Sequence, residues 1–167
     1  GIEIEHDDSI DVYVASNTDN ENYIIKFVNS LRNKGFSVES NLMDRSFKSQ
    51  FKYADKIKAK FVLAVGDDAI FVVECKSAEK PKKQSFQQTL VEMSAYKKGM
   101  TESLQQIYGK TKRVKFIFAT QNYIVGDQDK KRMDEFGIAH FDEKVIKYYE
   151  ELVKHLGSAS RYQLLGA

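Results

Sequence analysis

A single cysteine, Cys75, in a chain of 167 residues leaves nothing for an intramolecular disulfide and suits a reducing, cytoplasmic setting. Charges of the two signs nearly cancel, with 26 Lys and Arg against 24 Asp and Glu. No global basic field therefore advertises nucleic acid, and such binding must come from a local patch. Apolar runs stay far below the ~20 residues that cross a bilayer, and the first residues carry no secretory leader pattern. No membrane association is expected. His6, His140 and His155 lack metal-ligand spacing. Gly66 lies between two apolar runs rather than between a strand and a helix, which excludes a phosphate-binding loop. None of these features calls for a cofactor.

What the chain does have is organised around Phe61 to Lys76 (FVLAVGDDAIFVVECK). Two short runs rich in Val and Phe flank Gly66-Asp67-Asp68, which predicts a β-hairpin with strands buried on both faces. The second run ends in Glu74-Cys75-Lys76. Alternation along a strand sends Glu74 and Lys76 to one face and Cys75 to the other, where Cys75, with no recognisable base nearby, reads as a buried inert thiol. A charge at the end of a core strand has to be paired or bound to a metal or ligand.

In chain order, Ile2 to Glu5 alternates like a short edge strand and Asp11 to Ala15 reads as a buried strand. Thr18 or Asp19 offers an N-cap for a helix with the stripe Tyr23, Ile24, Phe27, Val28 and Leu31, closed by Gly35. Phe36 to Ser40 is the next strand. A helix from Ser46 to about Lys58 carries Phe47, Phe51, Ala54 and Ile57 on one side. Past the hairpin, Lys80 to Lys83 reads as a basic loop. A helix from about Gln84 to Tyr108 follows, bent or divided at Gly99. Strands at Val114 to Ala119 and Ile138 to Phe141 bracket a short helix at Asp129 to Phe136. Asp142 caps a last helix, Glu143 to Leu156, and the terminal stretch Arg161 to Leu165 either packs back on the body or dangles. The strand-helix rhythm implies parallel crossovers. The expected fold is α/β: one six-stranded mixed sheet with helices on both faces. Its strand order, from one edge, is Phe36–Ser40, Asp11–Ala15, Phe61–Val65, Ala69–Cys75, Val114–Ala119 and Ile138–Phe141, with the fourth strand antiparallel to the third.

Two stretches resemble known families. The run from Gly35 to Asp68, with R-S-x-K-S-Q-x-K-Y-A-D-K at Arg45 to Lys56, is similar to the anticodon-binding domain of histidyl-tRNA synthetases, and DVYVASN fits that domain's opening strand. The resemblance implies contact with the tRNA anticodon stem and loop. The run VVECKSAE, 72 to 79, resembles half of the active-site motif of PD-(D/E)xK nucleases, and 69–165 looks like the nuclease-like domain of DGQHR proteins of DNA phosphorothioation systems. That resemblance implies Mg²⁺ held by Glu74 and a partner aspartate, with Lys76 acting on the attacking water.

The two resemblances meet at Gly66-Asp67-Asp68. The expectation is therefore a single hybrid domain over 1–167, an engineered or recombined chimera of a 1–68 half and a 69–167 half with no selected activity. The alternatives are a Mg²⁺-dependent nuclease acting on DNA and a natural RNA- or tRNA-binding module. Asp11 is the best available partner for Glu74, with Asp7 and Asp8 nearby in sequence, so catalytic candidates are Glu74, Lys76 and Asp11, with Glu74 and Asp11 as metal ligands. At about two strand spacings, 9 to 10 Å, Asp11 is far for a shared ion, and an ion pair of Glu74 with Lys76 is the expected state. Arg45, Lys48, Lys52, Lys80, Lys82 and Lys83 are candidates for weak, salt-sensitive association with RNA or DNA. Taken one at a time, Lys48, Lys52 and Lys56, at i, i+4 spacing, read first as a solvated helix face.

Overall fold

The computed structural model of the chain describes residues 10–16, 21–41, 45–66, 69–109 and 113–156. The expected strand at Ile2–Glu5, Asp7 and Asp8, the cap at Thr18 or Asp19, the turn residues Asp67 and Asp68, and Arg161–Leu165 lie outside the described residues. The elements run β1 (Val12–Ser16), α1 (Glu21–Asn33), β2 (Val38–Ser40), α2 (Phe47–Lys56), β3 (Phe61–Val65), β4 (Ala69–Lys83), α3 (Gln87–Tyr108), β5 (Arg113–Ile124), α4 (Asp127–Phe136), β6 (Ile138–Phe141) and α5 (Glu143–His155).

All six strands form one sheet in the order β2-β1-β3-β4-β5-β6. Helical crossovers make β2, β1 and β3 mutually parallel, with Val12 level with Val38 on one side and Phe61 on the other. The tight connection after Gly66 reverses the chain, so β4 pairs antiparallel with β3, Val62 facing Val73. From there β5 and β6 run parallel to β4. This is the α/β mixed sheet expected from the strand-helix rhythm and the hairpin.

Local chemistry explains where the helices stop and start. Asp142 accepts from the Val145 amide at 2.9 Å and caps α5. Gly35 and Gly137 adopt φ of +90° and +62° where α1 and α4 end, a backbone state that L side chains resist. Gly99 does not divide α3, which is continuous. A Cβ there would meet the Phe36 ring at 3.6 Å, ordinary contact.

The two sheet faces are unequal. Under α1, α3 and α4 the inward residues Val12, Val14, Phe61, Leu63, Ile70 and Val72 are buried with Phe27, Leu31, Leu90, Met93 and Met100 in one core, and each such side chain contributes ~1.5–3 kcal/mol. The opposite face carries a smaller cluster of Tyr13, Ala15 and Ala54 beneath α2. On that face α5 buries none of its residues fully, and Ile146 and Tyr148 are exposed. Between α2 over β1 and α5 over β5 and β6, the positions Ala64, Phe71 and Val73 are only half-buried, and Cys75 is exposed. Burial of the hairpin on both faces, and of Cys75, is thus corrected: the apolar runs match a strand covered twice, but helical cover is complete on one side only.

The basic stretch Lys80–Lys83 is not a loop. It continues β4 as a strand of 15 residues, paired with an equally extended β5 across a register shift between Ser77 and Lys82. Asn122, at φ +58°, donates its side-chain amide to the Ala78 carbonyl at 2.8 Å inside that shift.

Candidate nucleic-acid interface

The helix α2 is fastened to the sheet by one polar side chain. Gln50 is 1% exposed, and its Oε1 accepts from the Ser16 amide at 3.0 Å. Its Nε2 donates to the Ser16 and Arg45 carbonyls, both at 2.8 Å. The amide thereby completes the backbone bonding of the last residue of β1 and of the residue entering α2, where neither a strand ladder nor a helix can. Ser46 caps the helix, its Oγ 3.4 Å from the Ser49 amide. Helical spacing alone favours Phe47 and Phe51 as the buried stripe. Of the expected stripe Ala54 is buried and Phe47 and Ile57 are partly buried against the same cluster, but the fully buried partner of Ala54 is Gln50, and Phe51 is exposed.

The two flanks of α2 differ. Toward β2, Tyr53 donates its hydroxyl to Glu39 at 3.2 Å and lies 5.7 Å from the Tyr13 ring, while the Arg45 guanidinium sits 5.1 Å above Tyr53. Burial pushes the Tyr13 hydroxyl above its ordinary range, against the lowering effect of Arg45. Toward β3 and β4, Phe47 and Phe51 stack with centroids 5.8 Å apart and rings 24° from parallel. Asp55, a further turn along that flank, lies close enough to act on Cys75. Lys48 and Lys52 are exposed along the outer ridge beside these rings, and neither has an ion pair among the described residues.

The six basic candidates do not form one surface. Ser16, Val65 and Ile70 are level across the sheet, and Gln50 places Arg45 and the start of α2 at that end. The antiparallel β4 carries Lys80, Lys82 and Lys83 the other way: Ile70 is level with Val114 and Lys82 with Tyr123, nine β5 residues further on, or about 30 Å at ~3.3 Å per residue.

Glu74 and Lys76 emerge on one face as alternation requires, paired at 3.0 Å with side chains 7% and 42% exposed. Burial drives the Glu74 carboxyl above the usual carboxylate range, and the hydrogen bond and charge of Lys76 only partly offset it. Asp11 is not brought to this pair. It sits at the start of β1, with β3 intervening before β4, and its oxygens accept from the Ser37 amide at 2.9 Å and the Lys60 ammonium at 3.2 Å. No group of three or more His, Cys, Asp or Glu that could hold a metal occurs among the described residues. Glu92 is a second carboxylate whose charge acts on Glu74, and a lysine-paired carboxylate with that neighbour does not make the near-octahedral oxygen set that Mg²⁺ takes.

Asp129 is a buried acid that the sequence pattern does not single out. Its Oδ2 accepts from the Phe86 amide at the start of α3 and its Oδ1 from Arg132, both at 2.8 Å. Phe86 in turn packs edge-on against Phe118 and Tyr123. Its proximity to Phe86 comes from tertiary packing alone, so no spacing in the sequence could signal it.

Sheet, crossovers and the lysine-bearing second helix define an α/β domain with a basic helical ridge tied to the end of its first strand. The chain belongs to the anticodon binding domain family, which matches residues 11–96. It is 44% identical over 71 residues to the histidine–tRNA ligase of Acetivibrio thermocellus and 38% identical over 71 residues to that of Clostridioides difficile. Each alignment covers 42% of this chain and 17% of the relative, so the chain spans about a sixth of the length of these relatives. The crystal structure of apo Staphylococcus aureus histidyl-tRNA synthetase is 32% identical, with a TM-score of 0.36, covering 40% of this chain and 17% of that one.

These findings overturn the expected chimera. The family match does not stop at Gly66-Asp67-Asp68. It runs through the reversal, along β4 and into α3 as far as Tyr96, so the supposed join lies inside the matched region. The chain is a natural member of the family and not an engineered hybrid. No helix among the described residues is long and apolar enough to cross a membrane.

Proposed function

We propose that the chain is an RNA-binding module, that its ligand is tRNA in the anticodon region, and that the ridge of α2 carries the contact. The observation that supports this most directly is the coincidence of the family match, residues 11–96, with exposed lysines at 48 and 52 on a helix held by Gln50. Charges on a fixed helix meet phosphates without the entropy cost of ordering a loop. Fluorescence anisotropy with a tRNA anticodon stem-loop tests the reading. Affinity should fall steeply as salt rises, and Lys48→Ala with Lys52→Ala should weaken binding and flatten the salt slope by about 0.7 per lost phosphate contact. Unchanged affinity in the double variant refutes the role of this ridge.

On this reading Glu74 and Lys76 are a structural ion pair and no divalent ion acts there. Plasmid and single-stranded DNA should survive incubation with Mg²⁺ or Mn²⁺. Cleavage that disappears in Glu74→Ala would establish the nuclease reading instead.

A further inference from the structure

We propose that Phe51 is a stacking platform for an unpaired base, which makes the ligand of the α2 ridge single-stranded RNA and not duplex; the inference rests on the RNA-binding reading above. Phe51 is 39% exposed although it lies on the apolar side of its helix. Phe47 covers one side of its ring at 5.8 Å and thereby fixes it. Beyond Phe51, no helix among the described residues covers the sheet before α5: Ala64, Phe71 and Val73 are half-buried and Cys75 is exposed.

Spacing supports the gap. From α2 over β1 to α5 over β5 and β6 is about three and a half strand separations, or ~17 Å, and each helix takes up ~5 Å of that on its own side. That leaves a span of ~7 Å between the two helices, which among the described residues holds the half-buried Ala64, Phe71 and Val73 with Phe51 at its α2 side. An unstacked base needs an apolar face of this kind, and its phosphate needs a cation within reach. Lys48 and Lys52 form an i, i+4 row one residue out of phase with the Phe47 and Phe51 row, so a strand running along α2 meets rings on one side and ammonium groups on the other. A duplex keeps its bases stacked inside and cannot use the ring. Arg45 lies on the other flank, over Tyr53, and is not part of this platform.

The test uses the full chain with a short uridine-rich single-stranded RNA and a blunt RNA duplex of equal length. Phe51→Leu, which keeps apolar bulk without the π-face, and Phe51→Ala should each lose about 5- to 150-fold in affinity for the single strand. Both should leave duplex affinity and the salt slope unchanged. The sequence contains no tryptophan, so Phe51→Trp supplies an isolated fluorophore that should retain affinity and be quenched by the single strand but not by the duplex. If the Lys48 and Lys52 variants weaken binding while Phe51→Leu and Phe51→Ala do not, the platform is refuted and RNA binding stands. Equal losses on single strand and duplex would likewise overturn it. If no RNA binds, both readings fall.

Discussion

Replacing Gln50 by alanine tests how α2 is held in register on the sheet. Three hydrogen bonds disappear, to the Ser16 amide, the Ser16 carbonyl and the Arg45 carbonyl. Each neutral bond contributes ~0.5–1.5 kcal/mol, and the groups left behind are poorly placed to recover water. The expected loss is about 3 kcal/mol, a large part of the ~5–15 kcal/mol that stabilises a typical domain. It corresponds to a fall of about 6–12 °C in melting temperature for a chain of this size. Urea denaturation followed by circular dichroism gives the free energy directly, and a loss below about 1 kcal/mol refutes the argument. Gln50→Glu separates bonding from packing. The shape is kept and one oxygen still accepts from the Ser16 amide, but the donor to two carbonyls becomes an ionised acceptor. Burial beside carbonyls raises the folded-state pKa of such a carboxyl. Its protonated form, which keeps one of the two donated bonds, is then favoured by folding, so the deficit should be smallest, about one hydrogen bond, below the unfolded pKa of ~4.3 and grow as pH rises through the folded value. A pH-independent deficit would show that volume, not hydrogen bonding, governs the site.

Glu74 behaves in the same sense in the native chain. Its raised pKa means that ionisation opposes folding, so Glu74→Gln should stabilise at pH 7 and have no such effect below pH ~4, as read from urea midpoints across pH. Gly99→Ala should add about 0.5–1 kcal/mol, because the new methyl meets Phe36 at ordinary contact distance and the helix loses a flexible residue; a thermal melt below the parent would show that α3 cannot accept it. Asp129→Ala should cost about 2–3 kcal/mol by stripping the Phe86 amide and leaving Arg132 without its carboxylate, measured by chemical denaturation. His140 donates to or accepts from Thr120 at 2.9 Å, and burial lowers its pKa. Folding therefore favours the neutral ring, its contribution is present above the unfolded pKa of ~6.5 and is lost below it as pH falls through the lower folded value, and His140→Gln should flatten the stability profile over that interval.

The order of the six strands, the α1 stripe and the Asp142 cap were readable in the chain, because they follow from short-range rules: alternation by two, recurrence near 3.6, and the reversal after Gly66. The E-x-K pair on one face of β4 was readable for the same reason, as were the lysines of α2. Tertiary structure alone decided three other matters. It left one face of the hairpin half open, because whether a helix covers an apolar strand depends on where α2 and α5 land and not on the strand. It buried Gln50 rather than Phe51, because the partner of Gln50 is a backbone group 34 residues away. It also separated Arg45 from Lys82 by the length of the sheet, since the direction of each strand, and not nearness in sequence, determines the end at which a charge emerges.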